Sequence, residues 1–167
     1  MYLGLDLGTS ALKALLLTDE GDIAGMADAP LSVHHPEPLW AEQHPSQWEQ
    51  ALDAVMTALQ GRYAGALASV RGIGLSGQMH GAVALDAADT VLRPAILWND
   101  GRSARQCQQL SQAVPQLARI TGNLAMPGFT APKLLWMRER EPALFARISR
   151  VLLPKDWLRL LLSGEAV

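Results

Sequence analysis

The residues of this chain most ready to do chemistry are gathered in one short stretch near its start, Asp6-Leu7-Gly8-Thr9-Ser10-Ala11-Leu12-Lys13. It sets a carboxylate, two hydroxyls and an ammonium around a glycine. The apolar runs Met1 to Leu5 and Ala14 to Leu17 on either side predict two short strands, so the stretch becomes the tip of a β-hairpin. Such a tip suits phosphate. Gly8 has no Cβ, which lets the backbone approach a phosphate closely and adopt φ values that other residues avoid. Thr9 and Ser10 offer hydroxyl and backbone N–H donors, and Lys13 brings a compact positive charge of the kind that neutralises phosphoryl oxygens. Asp6 is then left to hold Mg²⁺ or its waters, because that ion is usually bound through one or two carboxylates plus substrate phosphates. The competing reading of the same residues is an ordinary hairpin in which Asp6 and Ser10 satisfy turn amides.

A second cluster of polar side chains, Trp98-Asn99-Asp100-Gly101-Arg102, falls at the end of a predicted strand, where binding residues are often carried. Asp100 is read first as the N-cap of the helix that follows through Ser103 to Val114. Gly72, Gly74 and Gly77 spell G-x-G-x-x-G, but the fingerprint for a dinucleotide needs its glycines after a strand and at the opening of a helix. Here Ile73 and Leu75 make the glycines part of the strand itself, and Ala82 to Asp86 reads as another short strand. A Rossmann site is therefore rejected.

The elements that must position these groups follow from periodicity and punctuation. Thr18 to Asp22 is a polar turn, and Ile23 to Val33 forms a third strand pairing back on the second. After a loop at His34 to Pro38, Pro45 opens a helix whose Trp48, Ala51, Leu52, Val55, Met56 and Leu59 recur at helical spacing, with Gly61 closing it. Val70 to Leu75 is an apolar strand, and Val91 to Trp98 is a strand broken by Pro94. Pro115 ends the helix after Asp100, Gln116 to Thr121 adds a helical turn, and Gly122 to Pro132 is a loop. Lys133 to Arg140 and Ala143 to Ile148 are short helices, Arg150 to Leu153 is a strand, and a last helix runs from Pro154. Three antiparallel strands, a helix and a further strand predict an α/β fold with a mixed sheet flanked by helices.

The totals narrow the function. A chain of 167 residues is one domain of ordinary size or one lobe of something larger. With 14 Lys+Arg against 16 Asp+Glu and no basic run, it offers no footprint for nucleic acid or an anionic membrane. Its single cysteine, Cys107, forms no internal disulfide, and no Cys/His cluster has zinc-ligand spacing. No apolar run approaches the ~18 residues of a membrane span, and Asp6 falls where a leader peptide needs its apolar region. The expectation is a cytoplasmic protein, and composition leaves a homodimer open.

Together D-L-G-T-S-x-x-K, G-Q-M-H-G, L-W-N-D-G-R, N-L-A-M-P-G-F-T-A-P-K-L-L-W and L-L-P-K-D-W-L-R-L resemble the FGGY carbohydrate kinases, in the family's order and across the whole chain. The set looks most like the bacterial members that act on D-xylulose. The resemblance implies the actin-like ATPase, ribonuclease H-like fold, with a mixed central sheet in the order βββαβαβα. It further implies transfer of the γ-phosphoryl group of ATP, with Mg²⁺, to the ketopentose D-xylulose, giving D-xylulose 5-phosphate. Asp6, Gly8, Thr9, Ser10 and Lys13 fall on the family's first phosphate motif. Met79 and His80 fall on the pair lining the sugar site, where glycerol kinases carry Arg-Glu, and Trp98 with Asn99 falls beside the substrate. Read without the family, Met79 and His80 are a core thioether and a satisfied histidine, and Trp98 is a core tryptophan. The family often has glycine at the place of Ala11, so the methyl there requires a negative φ. Family members run to about three times this length, and the resemblance implies that residues 1–167 are the N-terminal, sugar-binding lobe. It assigns the general-base aspartate to the C-terminal lobe, so no catalytic residue is expected here and the lobe alone is expected to be inactive. Two other readings stay open: a family member acting on ribulose, fuculose or gluconate, and a non-catalytic actin-like module that binds nucleotide.

Overall fold

The structure is a computed structural model that describes residues 1–165. In chain order the strands are β1 (Tyr2–Leu7), β2 (Ala11–Leu17), β3 (Ile23–Pro30), β4 (Glu42–Gln43), β5 (Ile73–Gly77), β6 (Val83–Leu85), β7 (Ala95–Ile96) and β8 (Arg150–Leu152). The helices are α1 (Pro45–Ala68), α2 (Ala104–Ala113), α3 (Leu117–Thr121), α4 (Thr130–Arg140), α5 (Pro142–Phe145) and α6 (Pro154–Ser163). They divide between two compact units, one built from Met1–Val33, His44–Gln78 and the segment from Pro154, the other from His34–Gln43 and Met79–Leu153.

The first unit is a four-stranded mixed sheet in the order β3-β2-β1-β5, with α1 packed on β2 and β3 and α6 on β1 and β5. Alternation explains the register. Leu3, Leu5 and Leu7 of β1 and Leu12, Ala14 and Leu16 of β2 are buried, whereas Asp6 and Lys13 are exposed. A slip of one residue would turn the buried Leu3, Leu5, Leu7, Leu12 and Leu16 to water, so the pairing of Leu5 with Ala14 and of Asp6 with Lys13 is strongly specified. β5 runs parallel to β1, with Ser76 beside Asp6. Gly77 permits that approach, since a Cβ there would sit 2.8 Å from the Leu7 carbonyl oxygen. The strand runs into the turn Gln78 to His80 and no helix follows, so the glycines make no dinucleotide loop.

α1 opens as expected, with Pro45 in its first turn and the His44 ring nitrogen accepting the Ser46 N–H at 3.3 Å. Gly61 does not close it. The helix continues to Ala68 through a non-helical Tyr63 (φ −136°, ψ 34°), whose ring lies over Gly25 of β3. Glycine costs a helix only about 1 kcal/mol, less than the tertiary packing of a tyrosine ring offsets.

The second unit departs from the expectation that later strands extend the mixed sheet. β4 pairs antiparallel with β7, and β6 with β8, as two separate ladders of two strands. Pro94 immediately before β7 has no N–H to give, which suits a short ladder better than a central strand. The core here is Ala82, Ala84, Ile96, Trp136 and Met137, with Trp40, Phe145 and Ile148 packed on it. α4 begins at Thr130, so the predicted loop ending at Pro132 is shorter; Pro132 lies in the first turn, whose amides lack helical partners in any case. α5 likewise spans only Pro142–Phe145. Asp100 is not a helix cap, because α2 follows Ser103, which makes no side-chain cap bond. No helix among the described residues is long and apolar enough to cross a membrane.

Candidate functional site

In the first unit the hairpin presents the groups that its sequence promises. Asp6 and Lys13 are exposed and directly opposite across β1 and β2, and the row continues to Asp28 on β3 and Ser76 on β5. Asp6 lies inside its strand, so it does not serve as a turn cap. Gly4, Leu15, Met26 and Gly74 line a concavity of about 680 Å³ along the same residues. At the tip, the Gly8 N–H donates to the Ala11 carbonyl at 3.0 Å. A Cβ on Gly8 would meet that same oxygen at 3.1 Å. Its φ is not positive, so the glycine supplies room and not an unusual backbone angle. Ala11 also avoids positive φ, which accommodates its methyl. Ser10 is exposed, and its carbonyl accepts the Leu31 N–H at 2.8 Å. The buried Gln78 straps the tip from beside: its N–H donates to the Leu7 carbonyl at 2.7 Å, and the Thr9 hydroxyl donates to its Oε1 at 3.3 Å. Among the described residues no three His, Cys, Asp or Glu side chains converge as a metal site. A cation at Asp6 would be held by that one carboxylate, with waters and phosphate oxygens completing its shell, an arrangement that suits Mg²⁺.

In the second unit Met79 is 62 % exposed and Trp98 48 %, which removes the core reading of both. Asn99 is exposed next to Trp98. His80 is half-buried with a left-handed backbone (φ 61°), and its ring lies 4.3 Å from that of Phe129. Gly128 packs so tightly on the Trp98 carbonyl that a Cβ could not be added. One loop, Gly128-Phe129, therefore touches both Trp98 and His80 and brings them into one neighbourhood. His80 and Phe129 also form part of a pocket of about 340 Å³ with Leu110, Leu117 and Leu124. Burial, and then the positive charge of Lys133, hold the His80 imidazole below its ordinary pKa. A neutral imidazole has one donor and one acceptor nitrogen, the pair of functions needed to grip a hydroxyl group.

Behind these exposed groups lies a buried network of charge. Asp100 accepts the Ala41 N–H at 2.6 Å and pairs with the Arg102 guanidinium at 2.7 Å. Arg102 reaches Glu42 at 2.7 Å and stacks 3.7 Å from the Trp40 ring. Arg93 pairs with Glu42 and, at 2.6 Å, with Glu141. Lys133 is fully buried and donates to the His80 carbonyl at 2.6 Å, an acceptor shared with the Thr130 hydroxyl at 3.2 Å. Burial pulls its pKa down to about 7, opposed by Asp100 and reinforced by Arg102.

Gln78, Phe129 and Lys133 are functional neighbours that sequence reasoning misses. Each sits inside a stretch that carries the resemblance, but partners lying 69, 49 and 53 residues apart in the chain leave no local spacing to reveal them.

Residues 1–167 match the family model described as FGGY family of carbohydrate kinases, N-terminal domain. The chain is similar to a xylulose kinase of Escherichia coli (strain K12), 54 % identical over 165 residues that cover 99 % of this chain and 34 % of that protein. Among solved structures it is similar to a xyloylose kinase from Brucella ovis, with TM-score 0.96 and 54 % identity over 98 % of this chain and 34 % of the other. It is also similar to a xylulose kinase from Rhodospirillum rubrum, with TM-score 0.94 and 33 % identity over 99 % and 35 %. The chain spans about a third of the length of the relatives it matches.

Proposed function

The chain belongs to the FGGY family of carbohydrate kinases and has their actin-like ATPase fold, and we propose that it is the N-terminal, sugar-binding lobe of an enzyme that phosphorylates D-xylulose with ATP. The observation that carries this reading is the hairpin: an exposed carboxylate and an exposed ammonium fixed opposite each other beside a Gly-Thr-Ser tip. Lys13 and the donors of Gly8, Thr9 and Ser10 neutralise and orient the nucleotide phosphates. Asp6 would hold Mg²⁺, which when bound would spread the charge of the phosphoryl oxygens. Phosphoryl transfer has little covalent chemistry for a protein to perform, so positioning and charge stabilisation carry most of the rate.

The sugar is assigned to Met79, His80, Trp98 and Asn99. His80 exchanges hydrogen bonds with hydroxyl groups, Trp98 offers a flat apolar surface to a carbon face, and Met79 packs adaptably. The names of the relatives above support D-xylulose as acceptor. The base that takes the hydroxyl proton is assigned to none of these 167 residues, and we place it in a C-terminal lobe, with the N-terminal lobe inactive by itself. Cys107 is buried as a free thiol, a state that a reducing compartment maintains, and this supports a cytoplasmic setting. The test is ADP release by the protein expressed from its whole coding sequence, offered D-xylulose, ribulose, fuculose and gluconate in turn. D-Xylulose is expected to give the highest kcat/KM; a higher value for any other sugar contradicts the assignment.

A further inference from the structure

Lys133 is fully buried, and its ammonium donates to a neutral backbone group, the carbonyl of His80. Burying an ammonium costs free energy that an apolar side chain of the same length would not. Asp100 nearby offsets part of that cost and Arg102 adds to it, while Arg102 itself is engaged by Asp100 and Glu42. A lysine retained for packing alone would be poorly chosen here. What its ammonium meets is the carbonyl of a histidine whose φ of 61° lies in the left-handed region, sparsely used by residues other than glycine. The Thr130 hydroxyl, one turn earlier on α4, donates to the same oxygen at 3.2 Å. Phe129, adjoining Thr130, supports the imidazole at 4.3 Å. Three features of one helix start thus converge on a single strained residue, two on its backbone and one on its ring.

We propose that Lys133, assisted by Thr130, is a positioning residue for sugar binding: by gripping the His80 carbonyl it fixes the left-handed backbone that aims the imidazole at the substrate. This rests on the assignment of His80 to the sugar. Lys133 does not touch the substrate; it acts through His80, and strain at a ligand clamp is held in place by the surrounding structure.

The test compares Lys133→Met, Thr130→Val and His80→Ala in the protein expressed from its whole coding sequence. Methionine keeps an unbranched side chain of similar reach and removes the charge and the donors. For Lys133→Met, the KM for D-xylulose is expected to rise about tenfold, the loss of a charge-assisted hydrogen bond, with the KM for ATP changed by less than about twofold. The unfolding midpoint should stay level or rise, because a buried charge has gone. The His80 imidazole pKa, followed by NMR, should move up once the neighbouring ammonium no longer holds it down. Thr130→Val should raise the D-xylulose KM in the same direction by about two- to threefold, and it carries the test if the methionine variant does not fold. A lysine that only supports the fold would alter stability and leave the D-xylulose KM and the His80 titration unmoved. If His80→Ala weakens D-xylulose while Lys133→Met does not, the inference fails and the sugar assignment stands. If His80→Ala leaves the D-xylulose KM unchanged, the sugar assignment itself fails and takes the inference with it.

Discussion

The two units hold their candidate functional groups by opposite means. In the first, Asp6 and Lys13 stand on the open face of strands whose other face is Leu3, Leu5, Leu7, Leu12, Ala14 and Leu16, so the backbone ladder sets their separation above an apolar layer. In the second, His80 and Trp98 lie on turns, and the layer behind them is a network of buried charge running through Glu42, Arg93, Asp100, Arg102 and Lys133. A strand fixes a side chain by hydrogen bonds that nearly every residue can make. A turn must be fixed by side chains, and where these are charged each one depends on its partner.

That contrast can be broken in several ways. The largest effect is expected for Arg102→Ala, which takes the paired guanidinium from Asp100 in the interior and leaves Glu42 with Arg93 as its cation. Removing one partner of a buried pair costs about 3–5 kcal/mol, to be read as a fall in the urea midpoint; a loss under about 1 kcal/mol would show that the network does not hold this unit together. Lys133 makes the same point through pH. Its unfolded-state pKa is near 10.5 and burial brings the folded value to about 7, so between the two the unfolded chain binds more protons. The whole cost of the buried charge is present below about pH 7, and it shrinks as pH climbs towards 10.5, because the folded lysine is already neutral there while the unfolded one still has its proton to lose.

 The net stability of the fold therefore rises with pH across this window. Urea midpoints of the wild type and Lys133→Met across that range should converge with rising pH, and parallel profiles would contradict the shift.

Changes in the first unit should cost function before stability. Lys13→Ala removes an exposed side chain, so the unfolding midpoint should hardly move while the KM for ATP rises about tenfold. The smallest effect belongs to Gly8→Ala, whose methyl would meet the Ala11 carbonyl at 3.1 Å. A loss of about 1 kcal/mol is expected, measured by thermal unfolding, with the hairpin adjusting by a few tenths of an ångström.

The same contrast governs how much of the molecule is legible in its sequence. Leu3, Leu5 and Leu7 of β1 alternate with period two, and Leu12, Ala14 and Leu16 of β2 keep that period although Leu15 and Leu17 fall on the other face, so the local pattern puts Asp6 and Lys13 on one exposed face. Helix α1 is legible from its apolar spacing as far as Leu59, but its continuation past Gly61 depends on Tyr63 packing over Gly25, a contact between residues 38 apart. In the second unit the strands have two or three residues, too few for any period to register. Asp100 reads as a helix cap because the residues beside it look like a helix start; its bond to Arg102 is local, and only the fold brings Ala41 to its carboxylate. Met79 and His80 stand out through family resemblance alone and Trp98 also through the polar strand end it opens, whereas the physical reason they sit where they do, Lys133 and the Gly128-Phe129 loop, lies in distant segments.

With phosphate assigned to the hairpin and sugar to His80, two Michaelis constants measured in two variants test the division most directly. In the protein expressed from its whole coding sequence, Lys13→Ala should raise the KM for ATP about tenfold and leave that for D-xylulose within about twofold, and His80→Ala should do the reverse. Both variants shifting the same constant, or neither shifting any, would contradict the division.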